Sequence, residues 1–293
     1  MEFFEIDCDD DLYLDDSFPW LRVVGVGEVG ASAVSYFKAA DTDDVFGTLA
    51  VPDKNFLADS RAEILKFIAD AYWLFAVADV DDLELAAQVA ACTACIEESN
   101  HKLKTFLILC PTADDIRLAD IPDSFGTWII LPKDKIAALG LTPAETIRRT
   151  VNMATSIAPC AKKRPQLRGD KKVGYLFGRD LVDVATVTGN CGRACIGFGE
   201  SLDAENNSLQ AVKNALKSPL FIEDIRHAKK ILLVFVVRYE FINAREINEA
   251  SIFLRELSNI DPEEAFAILR QVDVYETAAD GVTAFVLATK FDD

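Results

Sequence analysis

The chain has 293 residues, 51% of them hydrophobic, and its 30 Lys and Arg against 48 Asp and Glu give a formal net charge of −18. Such a composition supports one large or two ordinary globular cores and excludes wholesale disorder. A surface this negative repels phosphate backbones and anionic headgroups, which argues against nucleic acid as a partner and against adhesion to acidic membranes without a strong basic patch.

The first sixteen residues hold Glu2, Glu5, Asp7, Asp9, Asp10, Asp11, Asp15 and Asp16 with no Lys or Arg, and read as a solvated acidic arm. A secretory signal needs a basic start and an apolar stretch, and a membrane span needs about 18 apolar residues in a row. Neither pattern occurs, so a cytoplasmic protein without direct membrane insertion is expected. Leu21 to Val26 then reads as a short buried strand ending in glycines, followed by a helix from about Ala31 to Ala40. Gly47 to Val51 is a second strand, ending at Pro52 and Asp53, and Arg61 to Asp70 an amphipathic helix. Trp73 to Ala78 is a third strand and Leu83 to Glu98 a helix. Thr105 to Leu109 and Thr127 to Leu131 are apolar runs closed by Pro111 and Pro132, and Thr142 with Glu145 three residues later forms the capping box of a long helix. Apolar strands alternating with helices imply a parallel sheet covered on both faces.

The stretch from Ala161 to Lys172 breaks this rhythm with Lys162, Lys163, Arg164, Arg168, Lys171 and Lys172, and marks a boundary. Beyond it lie helices near Val182 to Asn190, Ser208 to Leu216 and Ala244 to Leu257. Strands are expected at Ala194 to Phe198, Ile231 to Val237, Gln271 to Tyr275 and Val282 to Thr289, with Asp261 to Phe266 as a further helix start. This half reads as α+β with a smaller sheet. The seven cysteines, Cys8, Cys92, Cys95, Cys110, Cys160, Cys191 and Cys195, are odd in number and mostly lie in apolar runs, as reduced core thiols do. Cys92 and Cys95 make a CxxC on a helix. With no second pair nearby and only His101 and His227 in the chain, a metal site is not expected.

The sharpest local motif is Val24-Gly25-Val26-Gly27-Glu28-Val29-Gly30-Ala31-Ser32, where the first strand turns into the first helix. Glycines there allow close backbone approach, and free amides at the helix start can cradle phosphate. Gly25, Gly27 and Gly30 satisfy the GxGxxG dinucleotide fingerprint, with Asp53 placed as a ribose-binding carboxylate would be, which points to an NAD-type enzyme. Packing alone also produces such turns, and Glu28 would face a bound phosphate with like charge.

The same segment, through Ala33 and Val34, resembles the first nucleotide loop of the tubulin/FtsZ family, close to IGVGGGGGNAV. Asp180-Leu181-Val182-Asp183-Val184-Ala185-Thr186-Val187 resembles that family's DFADVxTV loop, and Gly192-Arg193-Ala194-Cys195-Ile196-Gly197-Phe198-Gly199 its GxAxxGxG. Ala211 to Leu220 follows the spacing of AxxxAxxSPL, Glu246-Ile247-Asn248-Glu249-Ala250 is similar to EVNEA, and Leu287-Ala288-Thr289-Lys290-Phe291 to IATGF with Lys290 for the glycine. The resemblance implies an α/β fold: a Rossmann-like parallel-sheet N-terminal domain of tubulin/FtsZ type, a core helix and a smaller α+β C-terminal domain. The boundaries it suggests are an acidic arm at 1–19, the N-terminal domain with the core helix at 20–160, a basic linker at 161–179 and the C-terminal domain at 180–293.

In this family GTP sits on one subunit, and the next subunit in the filament inserts a loop whose acidic residues polarise the attacking water. Asp180 and Asp183 match those carboxylates, in the positioning role of phosphoryl transfer, although Gly178 replaces the family's Asn. Gly25, Gly27, Gly30 and Ser32 match the first loop, and Asn152 falls where the core-helix Asp reads guanine. Asp115 and Arg117 correspond to a Glu and an Arg after the fourth strand, and Lys133 replaces the Asn of IPND. The glycine-rich phosphate loop expected after the third strand is absent: Asp79-Val80-Asp81-Asp82-Leu83-Glu84 stands there. A like-charge pair at ~4 Å costs on the order of 4 kcal/mol at an effective dielectric near 20. The resemblance therefore implies a cell-division or cytoskeletal protein with degenerate GTP binding. It would act as a scaffold or filament modulator through FtsZ-like subunits or self-association, with no cofactor unless residual GTP or GDP binds. The alternative is a GTP-binding, self-polymerising GTPase. The family's tail, which binds membrane-tethering partners, has no counterpart after Phe291-Asp292-Asp293, so recruitment by a folded surface or the arm is expected.

Overall fold

A computed structural model describes residues 21–39, 46–69, 71–97, 103–112, 121–122, 124–155, 172–177, 181–202, 207–237, 243–258, 260, 268–275 and 281–291. Five parallel strands, β1 (Leu21–Val26), β2 (Phe46–Val51), β3 (Trp73–Ala78), β4 (Lys104–Leu109) and β5 (Thr127–Ile130), alternate with helices: α1 (Gly27–Ala39), α2 (Lys54–Asp59), α3 (Arg61–Ile68) and α4 (Leu83–Glu97). Two helices, α5 (Lys133–Ala138) and α6 (Pro143–Thr155), follow β5. Then come β6 (Lys172–Phe177), α7 (Leu181–Thr188), β7 (Gly192–Ser201), α8 (Asn207–Leu216), β8 (Ala228–Val237), α9 (Ala244–Ser258), β9 (Ile268–Tyr275) and β10 (Val282–Phe291).

The ten described strands form one sheet in the order β2-β1-β3-β4-β5-β7-β10-β8-β9-β6. The C-terminal strands thus continue the first sheet instead of forming a separate one. They join through a short parallel ladder, Thr127 with Gly192, Trp128 with Arg193 and Ile129 with Ala194, and beyond it pairing is mostly antiparallel.

All six side chains of β3 are buried, as a central parallel strand requires. Its alternate residues enter two different cores, Phe75 and Val77 on one face and Leu74, Ala76 and Ala78 on the other. Phe75 stacks on Phe106 of β4 with centroids 4.6 Å apart, and Trp73 meets Phe106 edge-on. A third core lies between β8, β10, α8 and α9. The expected cap of α6 is half made: the Glu145 N–H donates to Thr142 Oγ1 at 3.2 Å, while the Glu145 carboxylate turns to Arg149 at 2.8 Å. Three elements were not legible as such: α2, α5 and the strand β6 inside the basic stretch. Residues 261–266 lie outside the described set. Among the described residues no helix is long and apolar enough to cross a membrane.

Candidate functional site

In parallel sheets of this kind the carboxyl ends of the strands are the place for a ligand. Here that edge gathers the amino end of α1 after β1, of α2 after β2, of a short 3-10 helix (Val80–Asp82) after β3, and of α5 after β5.

The helix α1 begins at Gly27, earlier than the periodicity suggests, because the turn packs tightly. A Cβ at Gly25 would lie 2.0 Å from the Gly30 carbonyl oxygen, and one at Gly30 would lie 2.4 Å from that of Val77. Backbone packing of α1 on β1 and β3 therefore accounts for both glycines. Gly27 has φ +66, where L side chains are strained, and a Cβ on it would fall 1.8 Å from Asp82 Oδ2. The carboxylate of Asp82 thus stands directly on the turn. Ser32 and Glu28 are exposed on α1.

The acidic segment after β3 is organised by its own hydrogen bonds. Asp79 accepts from the Val80 N–H at 2.7 Å through one oxygen, and its other oxygen is ion-paired with Lys133 Nζ. Asp53, the residue in the ribose-binding position, caps α2 by accepting from the Phe56 N–H at 2.8 Å. The cap engages one oxygen of its carboxylate. Lys54 pairs with Glu84 at 2.7 Å. A cavity of about 230 Å³ opens here, lined by Asp53, Lys54, Asp81, Asp82 and Glu84 with Pro52 and Leu85.

Burial, and then the charges of Asp79, Asp81 and Glu28, push the Asp82 carboxyl above its ordinary value. Beneath the edge, burial pushes the Cys110 thiol up to about 12, with Asp79 adding to the effect and Lys133 opposing it. Cys92, Cys191 and Cys195 are likewise buried. Among the described residues no group of three or more His, Cys, Asp or Glu is arranged to hold a metal ion.

The structure therefore brings Gly25, Gly27 and Gly30 together with the acidic segment and Lys133. Asn152 lies on α6 and Asp183 on α7, but their side chains, and the whole of Asp180, Asp115 and Arg117, fall outside the described residues. The pairings Lys133–Asp79 and Lys54–Glu84 were not foreseen. Both depend on the sheet order, for which no local sequence signal exists.

No protein-family model matches the chain. Over 124 residues, 42% of the chain, it is 33% identical to cell division protein FtsZ 2 of Thermococcus kodakarensis, and it spans 29% of that relative's length. Among solved structures it is similar to an empty FtsZ dimer from M. jannaschii, with TM-score 0.67, 19% identity, and coverage of 92% of this chain and 87% of that one. It is also similar to CetZ2 from Haloferax volcanii in a GTPγS-bound protofilament, with TM-score 0.64, 13% identity and 93% coverage of both chains. These likenesses establish the fold.

Proposed function

We propose that the chain is a divergent member of the tubulin/FtsZ family, a cytoskeletal protein acting by association with FtsZ-like subunits, its own copies included, with its own GTP site weak or lost. The observation that carries this reading is the Asp82 carboxylate on Gly27, with Asp79 beside it. In the family's arrangement a triphosphate would approach this turn and the loop after β3. Here it would meet Asp79, Asp81, Asp82 and Glu28, while Lys133 and Lys54 are already paired with Asp79 and Glu84.

Association needs no intact nucleotide site. Asp180 and Asp183 match the carboxylates that the family presents to a neighbour's nucleotide, so a subunit with this face and a closed opposite edge would dock at one filament end and stop growth there. Substoichiometric protein is expected to change the polymerisation or GTPase rate of an FtsZ from the same cell, and Asp180→Ala with Asp183→Ala to abolish the change. Unaltered rates together with no co-sedimentation would sink the proposal.

A second reading, a GTP-binding and self-polymerising protein, is favoured by the retained turn at Gly25, Gly27 and Gly30 and by the GTPγS-bound protofilament of the similar CetZ2. Titration with fluorescent GTP separates the two. Saturable binding near micromolar nucleotide supports the second, and its absence the first.

A further inference from the structure

Three lysines converge on the last turn of α7. Lys230 donates from Nζ to the Thr186 carbonyl at 3.0 Å. Lys104 lies against the turn after the helix, where a Cβ on Gly189 would be 2.8 Å from its Cδ. Lys290 follows Thr289, whose hydroxyl donates to the Val187 carbonyl at 2.8 Å and which is the cross-strand partner of Lys230. The charges of all three act on the Cys191 thiol, holding back the rise that burial causes. Cations suit a helix carboxyl end. Among the described residues, however, none of the three is ion-paired. In a chain of net charge −18 this is a local excess of positive charge.

The acidic arm joins the fold at the same edge. Leu21, the first residue of β1, is in register with Trp73, and Trp73 with Lys104. At ~4.8 Å between strands, Leu21 stands about 10 Å from the Lys104 backbone. In the sheet order β10 and β8, which carry Lys290 and Lys230, are five and six strands from β1, about 24–29 Å. At ~3.3 Å per residue the extended chain reaches about 17 Å from Leu21 to Asp16 and about 33 Å to Asp11, so Asp15 and Asp16 come within range of Lys104, and Asp11 and the carboxylates before it within range of Lys230 and Lys290.

We infer that Lys104, Lys230 and Lys290 form a docking surface at the carboxyl end of α7, and that its occupant is the chain's own acidic segment, Glu2 to Asp16. The segment carries eight carboxylates and no cation. Single exposed ion pairs are weak and salt-screened. Attachment to Leu21 makes the encounter intramolecular, with an effective concentration of order millimolar, and lets several weak pairs act together. A partner that reads this lysine surface must first displace the arm. The docking is independent of whether nucleotide binds at the opposite edge.

The test is carbodiimide cross-linking of the dilute full-length chain, read by peptide mass spectrometry. At low ionic strength the arm carboxylates are expected to join Lys104, Lys230 and Lys290 in preference to the other lysines. The cross-links should be lost near 1 M salt, where the Debye length is about 3 Å. They should also be lost when Asp7, Asp9, Asp10, Asp11, Asp15 and Asp16 are all changed to Asn, a variant that leaves every described residue intact, and in K230Q/K290Q with an unchanged circular dichroism spectrum. Arm cross-links spread over all exposed lysines, or none at these three, would overturn the docking. Hybrid cross-links in a mixture of ¹⁴N and ¹⁵N protein would overturn the intramolecular occupant.

Discussion

Lys133, the first residue of α5, is ion-paired with Asp79, which lies 54 positions earlier at the end of β3. The pair crosses the end of the intervening strand β4 and ties the two halves of the carboxyl edge together.

Removing Lys133 leaves a half-buried Asp79 among Asp81 and Asp82. Lys133→Ala is expected to cost about 1–2 kcal/mol, in the range between exposed and buried pairs. Asp79→Ala should cost less, because it relieves repulsion as it breaks the pair. Urea unfolding of both single variants and the double variant measures the coupling, and strict additivity would show that the pair contributes none.

The Asp82 carboxyl is held above its ordinary value by burial and by Asp79, Asp81 and Glu28. A raised folded-state pKa means that the native chain holds this proton more tightly than the unfolded one. The group's contribution to stability is then complete below the ordinary carboxyl value and is lost as pH rises through the folded value. Asp82→Asn should accordingly stabilise the protein at pH 7, by roughly 0.5 kcal/mol for so exposed a site. Thermal melts from pH 3 to 7 should show the variant's advantage shrinking as pH falls.

Gly30 packs on β3 so closely that an added methyl group would meet the Val77 carbonyl oxygen at 2.4 Å. Backbone atoms cannot yield as a flexible side chain does, so Gly30→Ala is expected to cost about 3 kcal/mol or more. The loss should appear in nucleotide-free unfolding curves. A normally stable Gly30→Ala protein would return this glycine to a ligand-binding role.

Thr127 is fully buried where the two parts of the sheet meet. Its hydroxyl donates to the Thr188 carbonyl at 2.6 Å and accepts from the Cys191 N–H at 3.1 Å, clamping the end of α7 onto β5. Thr127→Val keeps the shape and strands both backbone groups, at a cost of about 2–3 kcal/mol. Hydrogen exchange should be faster at Cys191 and through β7 in the variant, with β1 to β3 unchanged.

Much of the element order is legible in the sequence. The bounds of β1 and β3 agree to the residue: β3 is an unbroken apolar run closed by Asp79, and β1 is apolar but for Arg22 and Gly25 and closes at Gly27. The order of loop motifs points to the fold that the solved structures share. The helix α2 escaped notice because its six residues bury only Leu57, too little for a periodic signal. The strand β6 escaped because it opens on Lys172, inside a basic run that reads as linker, and pairs through an irregular ladder on the sheet edge.

The sequence alone determined that acidic residues replace a glycine-rich loop after β3 and that a glycine turn precedes α1, since both are contiguous in the chain. Only the tertiary structure decided that Asp82 rests on Gly27 and that Asp79 is joined to Lys133. Those contacts follow from parallel strands being laid side by side out of chain order. Charges tens of residues apart become neighbours at one edge, and their interactions depend on angstrom-scale distances that a linear pattern does not carry.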